Sequence, residues 1–253
     1  MFFEKLKNST AKNHILVFII LSGFYFGIIP TLSCLAEIGL EIKPDQIPNH
    51  GKNIKDFVPQ GWILSDSVQG ELNPDGVKGA VLMLIEIGAP KSPESRPIIV
   101  VLKKQIDGKW QKIAIANRIL LCHLCGGMFF QPPKKTIPVK LEKGVIIIDQ
   151  ISGSRGVFQS LHRFWFDQKL NQVVLIGEDI QIRDRATGDS NKQSINYLTG
   201  EKITEKYRNN RKLGATGVLE TKMYSVPRSI QPIESIDINK VQKEFFNTTE
   251  LIN

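Results

Sequence analysis

Short apolar runs, separated by glycine, proline, asparagine and aspartate, dominate the chain from residue 57 to residue 200. The runs have the length of β-strands, are rich in β-branched residues, and show no apolar stripe with the period and length of a helix. The pattern therefore predicts a β-rich domain, with apolar runs at 62–64, 80–87, 96–102, 110–116, 136–141, 144–151, 157–166, 172–182 and 193–198.

The residues between these runs predict how the strands are joined. Asp107-Gly108 has the composition of a two-residue hairpin turn, and 142–144 and 199–200 follow the same pattern less clearly. Residues 167–171 provide a longer connection. Because consecutive strands joined by hairpins pair antiparallel, we predict a mainly β fold built as an antiparallel meander, with few or no long helices. A propeller-like sheet, a sandwich and a barrel all fit this pattern.

The segments that flank the β-rich domain, 57–200, differ from it in composition. Residues 37–56 are polar and contain two prolines, which predicts an N-terminal linker segment. Residues 201–253 predict a basic C-terminal extension that packs on the domain or trails from it, with a late strand near 221–227 and a helical turn or two at 239–246. The extension begins with a basic run, 201–212. This run is either an exposed strand or loop whose lysines protect a sheet edge, or a surface that contacts anions.

Residues 1–36 have the three-part order of a secretory signal peptide. Lysines come first, an apolar run covers 15–29, and Cys34 and Ala36 suit a cleavage site with small residues. We therefore expect a periplasmic or secreted protein. One alternative is an uncleaved membrane anchor. Another is a lipoprotein, because residues 31–34 resemble a lipobox whose Cys34 would be lipidated.

The net charge of the chain depends on whether the N-terminal segment is cleaved. The 253 residues carry 33 basic and 25 acidic side chains, and the composition is that of a globular protein rather than a disordered one. Cleavage after Ala36 would remove three lysines and one glutamate and leave a net charge of +6 on 217 residues. Outside the cytoplasm this modest excess is not expected to serve nucleic acid. It suits an envelope or extracellular partner, with anionic lipids or polymers as one class, or simply a solvated surface.

The segment 71–79 predicts an incomplete calcium-type loop. Calcium loops supply oxygen ligands from positions 1, 3, 5 and 7 and turn sharply at a glycine in position 6, here Gly76. The corresponding ligands are Glu71, Asn73, Asp75 and the carbonyl of Val77. The later carboxylate is missing, because positions 9 and 12 are Gly79 and Leu82. Residues 73–76 alternatively form an ordinary β-turn. We therefore expect no cofactor, with calcium as the alternative that this loop leaves open.

Cys122 and Cys125 form a C-x-x-C motif that is followed by two glycines. In an oxidising compartment the simplest interpretation is a short-loop disulfide that fixes a turn. A redox-active pair and a metal site are the alternatives. His50, His123 and His162 could add metal ligands, although nothing in their spacing indicates it.

No set of residues along the chain has the spacing of a known catalytic constellation. His162 lies on the predicted strand 157–166 with Ser160 and Phe164 on its own side, which predicts a hydrogen-bonded core or edge histidine rather than a base. We therefore expect a non-enzymatic binding or structural domain of the bacterial envelope. The alternatives are an extracytoplasmic thiol–disulfide oxidoreductase that uses Cys122 and Cys125, and a hydrolase whose residues meet only in the folded chain.

The order of several motifs carries a resemblance. FVPQGW at 57–62, ELNPDG at 71–76, LCHLCGG at 121–127 and GSR at 153–155 follow one another as in a group of secreted or lipoprotein-type bacterial proteins. Their D-L-N-x-D-G-x-x-D segment is similar to FG-GAP and VCBS-type β repeats. The resemblance covers about residues 57–206 and implies a β-rich envelope or secreted domain, with calcium binding but no known reaction. This chain departs at Glu71 and Gly79, which replace aspartates, and it holds one copy of the segment.

Overall fold

The computed structural model describes residues 41–87, 98–104, 108–122, 126–129, 137–210 and 215–248. They belong to one compact unit, Glu37–Asn253. The described part is mainly β, as predicted. Its strands are β1 (His50–Gly51), β2 (Trp62–Glu71), β3 (Lys78–Glu86), β4 (Ile98–Lys104), β5 (Trp110–Ala116), β6 (Val139–Glu142), β7 (Val145–Gly153), β8 (Gly156–Asp167), β9 (Gln172–Asp184), β10 (Ser190–Asn196), β11 (Glu201–Asn210) and β12 (Ala215–Ser225).

The strands form two antiparallel sheets. The first has the order β1-β5-β4-β3-β2, and the second has the order β12-β11-β10-β9-β8-β7-β6. In the second sheet every strand pairs with its neighbour in sequence, so these seven strands are the predicted meander. Hairpin connections suffice for this topology, since antiparallel neighbours need no crossover helix.

The two sheets pack face to face across a shared apolar core. Val81 and Met83 of the first sheet lie in one cluster with Ile148, Phe164 and Phe166 of the second. The opposite face of the first sheet is covered by the segment that precedes β2, whose Ile42 and Ile47 are buried. The described part of the predicted linker, 41–56, is therefore packed on the first sheet.

Helix α1 (Ile238–Thr248) packs against β8 and β9 of the seven-stranded sheet. Its Ile238 and Phe245 join a third cluster with Phe158 of β8 and Ile182 of β9. The carboxylate of Asp237 caps the helix, because Oδ1 accepts hydrogen bonds from the backbone N–H groups of residues 239 and 240 at 3.0 and 3.3 Å. Among the described residues, no helix combines the length and apolarity that crossing a membrane requires.

Two predicted turns have different outcomes. Lys143-Gly144 joins β6 to β7 as a two-residue hairpin, with φ of 51° and 78°, values that a type I′ turn requires. The two-residue turn predicted at Asp107-Gly108 includes Asp107, which lies outside the described residues, so it stays a prediction.

The basic run 201–212 lies mostly in β11, which is one of its predicted forms. β11 is second from the edge, however, and pairs with both β10 and β12. The prediction that its lysines protect a sheet edge is therefore wrong, because the edge strand is β12.

Candidate functional site

Hydrogen bonds among residues 72–77 hold the turn at 73–76. The backbone N–H of Gly76 donates to the carbonyl of Asn73 at 3.1 Å, as in a β-turn, and Gly76 has a φ of 80°. The side-chain carbonyl of Asn73, which is 2% exposed, accepts from the N–H of Val77 at 3.0 Å. The carbonyl of Val77 in turn accepts from the N–H of Leu72 at 2.7 Å. The predicted turn is therefore present and closes on itself.

The two carboxylates among the predicted calcium ligands, those of Glu71 and Asp75, also make hydrogen bonds within the protein. Lys78 Nζ donates to Glu71 Oε1 at 2.9 Å, and Asp75 Oδ2 accepts from the side-chain amides of Asn73 and Gln168 at 3.5 and 3.4 Å. Among the described residues, no group of three or more histidine, cysteine, aspartate or glutamate side chains could hold a metal ion. Calcium binding at this loop stays a prediction.

Thermal unfolding with and without calcium tests this loop. Since bound calcium would have to displace Lys78 from Glu71 and take over oxygens already hydrogen-bonded, we expect 1 mM calcium to leave the Tm of chelator-treated protein unchanged. A cation that binds only the folded chain raises Tm by mass action. A rise that Asp75→Asn abolishes would therefore show that the loop binds calcium. Magnesium at the same concentration is the control for ionic strength.

The β6–β7 hairpin packs directly against this turn. At Gly144, an added Cβ would lie 2.2 Å from the carbonyl carbon of Asn73 and 2.3 Å from its oxygen. Gly70 of β2 also lies close to this hairpin, with the side chain of Leu141 3.2 Å from where its Cβ would be. The Asn73 turn is therefore a packing point between the two sheets, and its backbone leaves no room for a side chain at Gly144.

The C-x-x-C motif lies at the end of the segment that follows β5. Cys122 is 6% exposed, and the preceding residue donates its N–H to Gln150 Oε1 at 2.6 Å. His123 and Cys125 lie outside the described residues, so the predicted disulfide stays a prediction, as does lipidation of Cys34. Gly127, with a φ of 59°, approaches Gly153 so closely that an added Cβ would lie 2.5 Å from the Gly153 carbonyl oxygen. The second glycine after the motif thus packs on the β7–β8 connection.

A buried polar cluster on β8 and β9 was missed by the sequence analysis. His162 and Glu178 are cross-strand partners, and His162 Nε2 lies 3.7 Å from Glu178 Oε2. His162 is fully buried, as predicted, but neither ring nitrogen makes a hydrogen bond in the described part of the chain. The predicted hydrogen-bonded histidine is wrong in that respect. The Ser160 hydroxyl beside it is also buried and unpartnered.

Burial shifts the titration of this cluster. Burial and, to a lesser extent, the Arg163 guanidinium together lower the pKa of His162 to about 4. Burial raises the pKa of Glu178 against the effect of the Gln193 amide, which donates to its Oε1 at 3.3 Å. Both partners are therefore pushed toward their neutral forms. Perturbed groups of this kind mark catalytic sites when a cleft reaches them, but these side chains are closed to solvent.

An open pocket of about 600 Å³ lies elsewhere, beside the segment that covers the first sheet. It includes none of the residues predicted as functional. Its lining consists of Asn53, Ile54, Lys55, Asp56, Gln69 and Trp110.

The last three strands of the second sheet, β10, β11 and β12, form what we call the ribbon. Among the described residues, none of its side chains belongs to any of the three apolar clusters. Three apolar residues of β12 face solvent instead, with Leu219 66%, Met223 68% and Tyr224 47% exposed. In the described sheets, β12 pairs on one side only, so its other edge carries a row of free backbone donors and acceptors.

Charged pairs lie across the ribbon. Lys192 and Glu205 join β10 to β11 at 3.9 Å, and Lys206 and Glu220 join β11 to β12 at 3.5 Å. Lys222 Nζ also donates to Glu220 at 2.6 Å, and this hydrogen bond lowers the pKa of Glu220. At neutral pH the edge strand thus presents the Glu220 carboxylate and the Lys222 ammonium group on one face.

Comparison with known proteins adds no relative to this picture. No protein-family model matches the chain, and neither the curated proteins nor the solved structures yield a match. The resemblance to secreted and lipoprotein-type bacterial proteins therefore stays a prediction from the motif order.

Proposed function

We propose that this chain is a non-enzymatic binding domain of the bacterial envelope and that the ribbon is its binding surface. One observation carries the proposal. The described side chains of β10–β12 contribute to none of the apolar clusters, yet Leu219, Met223 and Tyr224 are displayed to solvent on its edge strand.

The physical reason is that such an edge is costly to leave open. Exposed edge strands pair with other chains, and natural proteins usually shorten them, charge them or cover them. β12 is eleven residues long and combines apolar side chains with a free backbone edge. Exposed apolar surface of this kind is typical of sites that bind proteins. Strand addition gives affinity through backbone hydrogen bonds and specificity through alternate side chains.

The envelope location rests on the N-terminal pattern. Lysines followed by an apolar run and small residues at Cys34 and Ala36 are typical of export. Sizing the exported chain, with and without metabolic labelling of Cys34 by fatty acid, distinguishes cleavage, lipidation and anchoring.

The burial of the chemically active side chains supports binding over catalysis. His162 is fully buried and Glu178 is 8% exposed, so a substrate could reach them only if the sheet face opened. A reactive thiolate needs an exposed, electropositive position, commonly a helix N-terminus, whereas Cys122 is 6% exposed.

Site-specific photo-cross-linking in the cells that produce the protein tests the binding surface. We expect a photoreactive phenylalanine analogue at Met223 to give a defined cross-linked product. The same analogue at Leu170, which is 42% exposed in the β8–β9 connection, should give none. Equal yields at the two positions, or no product at 223, would overturn the proposal.

A further inference from the structure

The edge strand β12 is complementary to itself, and we propose that the partner of the ribbon is a second copy of this chain, joined antiparallel through β12. The inference rests on the proposed function, since it names the partner of the surface proposed above. The two copies would merge their seven-stranded sheets into one continuous sheet.

Symmetry restricts the registers that such a pairing allows. A two-fold axis normal to the sheet leaves each side chain on its own face, and side chains of directly paired residues share a face. Residues on the same face of a regular strand are an even number of positions apart. The axis must therefore lie midway between the two copies of one residue of β12, which we call the axis through that residue. The choice of register is therefore a choice of that residue.

An axis through Thr221 gives the complementary register. It places Glu220 opposite Lys222 of the other copy, and the symmetry repeats this pair on the other side of the axis. Leu219 and Met223, which are both exposed, flank these charged pairs, and Leu219 is the extra residue of the β-bulge in β12. Opposite charges directly across a strand pair stabilise it.

The neighbouring registers lack this match. An axis through Glu220 sets two glutamates opposite each other, and an axis through Lys222 sets two lysines opposite each other. Like charges in that position destabilise a strand pair. An axis through Met223 pairs no charged residues of opposite sign.

The residues that this register uses are accessible and in a regular strand. Thr221 is exposed, and the Glu220 and Lys222 side chains are 36% and 54% exposed. Pairing with β11 is regular from Glu220 to Ser225, and the β-bulge of this strand pair falls at Leu219 of β12, next to the three central pairs that Glu220, Thr221 and Lys222 would form. The outer edge of β12 is thus straight where the axis would pass.

Disulfide trapping tests the register directly. Directly opposed residues of an antiparallel pair have Cα atoms about 4.5 or 5.5 Å apart, within the range that a disulfide bridges. The Thr221→Cys chain should therefore form a cross-linked dimer rapidly on mild oxidation. In the same register two Ser225→Cys positions would lie about 27 Å apart and stay uncoupled. The unmodified chain reports the background from the native cysteines.

Every outcome of this experiment is informative. Dimer formation by Thr221→Cys well above Ser225→Cys and background, together with a dimer in sedimentation velocity of the unmodified chain, supports the pairing. Preferential trapping of Met223→Cys, or a monomer at all concentrations, overturns it. A photo-cross-link from position 223 to a protein of different mass would leave the proposed binding function standing while this inference fails.

Discussion

Replacing Gly144 by alanine is expected to destabilise the folded chain by about 4 kcal/mol. The new Cβ would lie 2.2 Å from the carbonyl carbon of Asn73, where the neighbour is backbone rather than a flexible side chain. Alanine would also have to adopt a φ of 78°, which costs an L-residue about 1–2 kcal/mol by itself. Urea unfolding followed by circular dichroism measures the loss.

Gly108→Ala is the matched control for this prediction. Gly108 has a φ of 80°, but no described residue lies within 4 Å of its Cβ position, so only the cost of about 1–2 kcal/mol for the backbone conformation applies. A Gly144→Ala loss no larger than the Gly108→Ala loss would show that the contact between the hairpin and the Asn73 turn does not stabilise the two sheets.

Acid is expected to remove about 3 kcal/mol of stability through His162. The unfolded chain protonates this histidine near pH 6.5, whereas burial lowers its pKa in the folded chain to about 4. The contribution is therefore complete above pH 6.5 and is lost as the pH falls toward 4; a gap of this size corresponds to about 3 kcal/mol. Free energies of unfolding measured from pH 7 to pH 4 follow this loss.

His162→Phe isolates the effect. Phenylalanine keeps an aromatic ring beside Phe164, whose ring centroid lies 6.2 Å from that of His162, and removes two unpaired nitrogens. Glu178 works in the opposite direction, because its raised pKa favours the folded chain as the pH falls, and it is present in both proteins. The free energy of unfolding of the wild type minus that of the variant should therefore fall by about 3 kcal/mol between pH 7 and pH 4. A constant difference, or the same change in His50→Gln at an exposed position, would contradict the assignment.

The apolar pattern predicts the central strands well, because those strands are buried. β5 occupies 110–116 as the run predicts, and β8 extends one residue beyond its run at each end. β11 was not identified as an inner strand, since its sequence EKITEKYRNN places charges where a core strand would carry apolar residues. Its strand conformation depends on pairing with two neighbours. Local pattern does not encode that pairing.

The buried pair on β8 and β9 shows why the site was harder to predict. His162 and Glu178 are sixteen positions apart, and their register depends on a β-bulge between Arg163 and Phe164. A shift of one residue would move Glu178 to the other face of the sheet. The two-residue turn at Lys143-Gly144, by contrast, follows from local conformational preference alone.

The proposed function depends on the ribbon being a binding surface. The ribbon differs from the rest of the seven-stranded sheet in one physical respect, since its described side chains stabilise the fold through pairing and charge rather than through the apolar core. Substitutions of its exposed apolar residues should therefore change binding with little effect on the free energy of unfolding.

The most direct test is the photo-cross-linking yield at Met223 relative to Leu170 in cells that produce the protein. The account predicts a defined product from position 223 and none from position 170, two sites of substantial exposure. Absence of product at 223, or equal yields at both positions, would contradict the claim that the ribbon is where this protein binds.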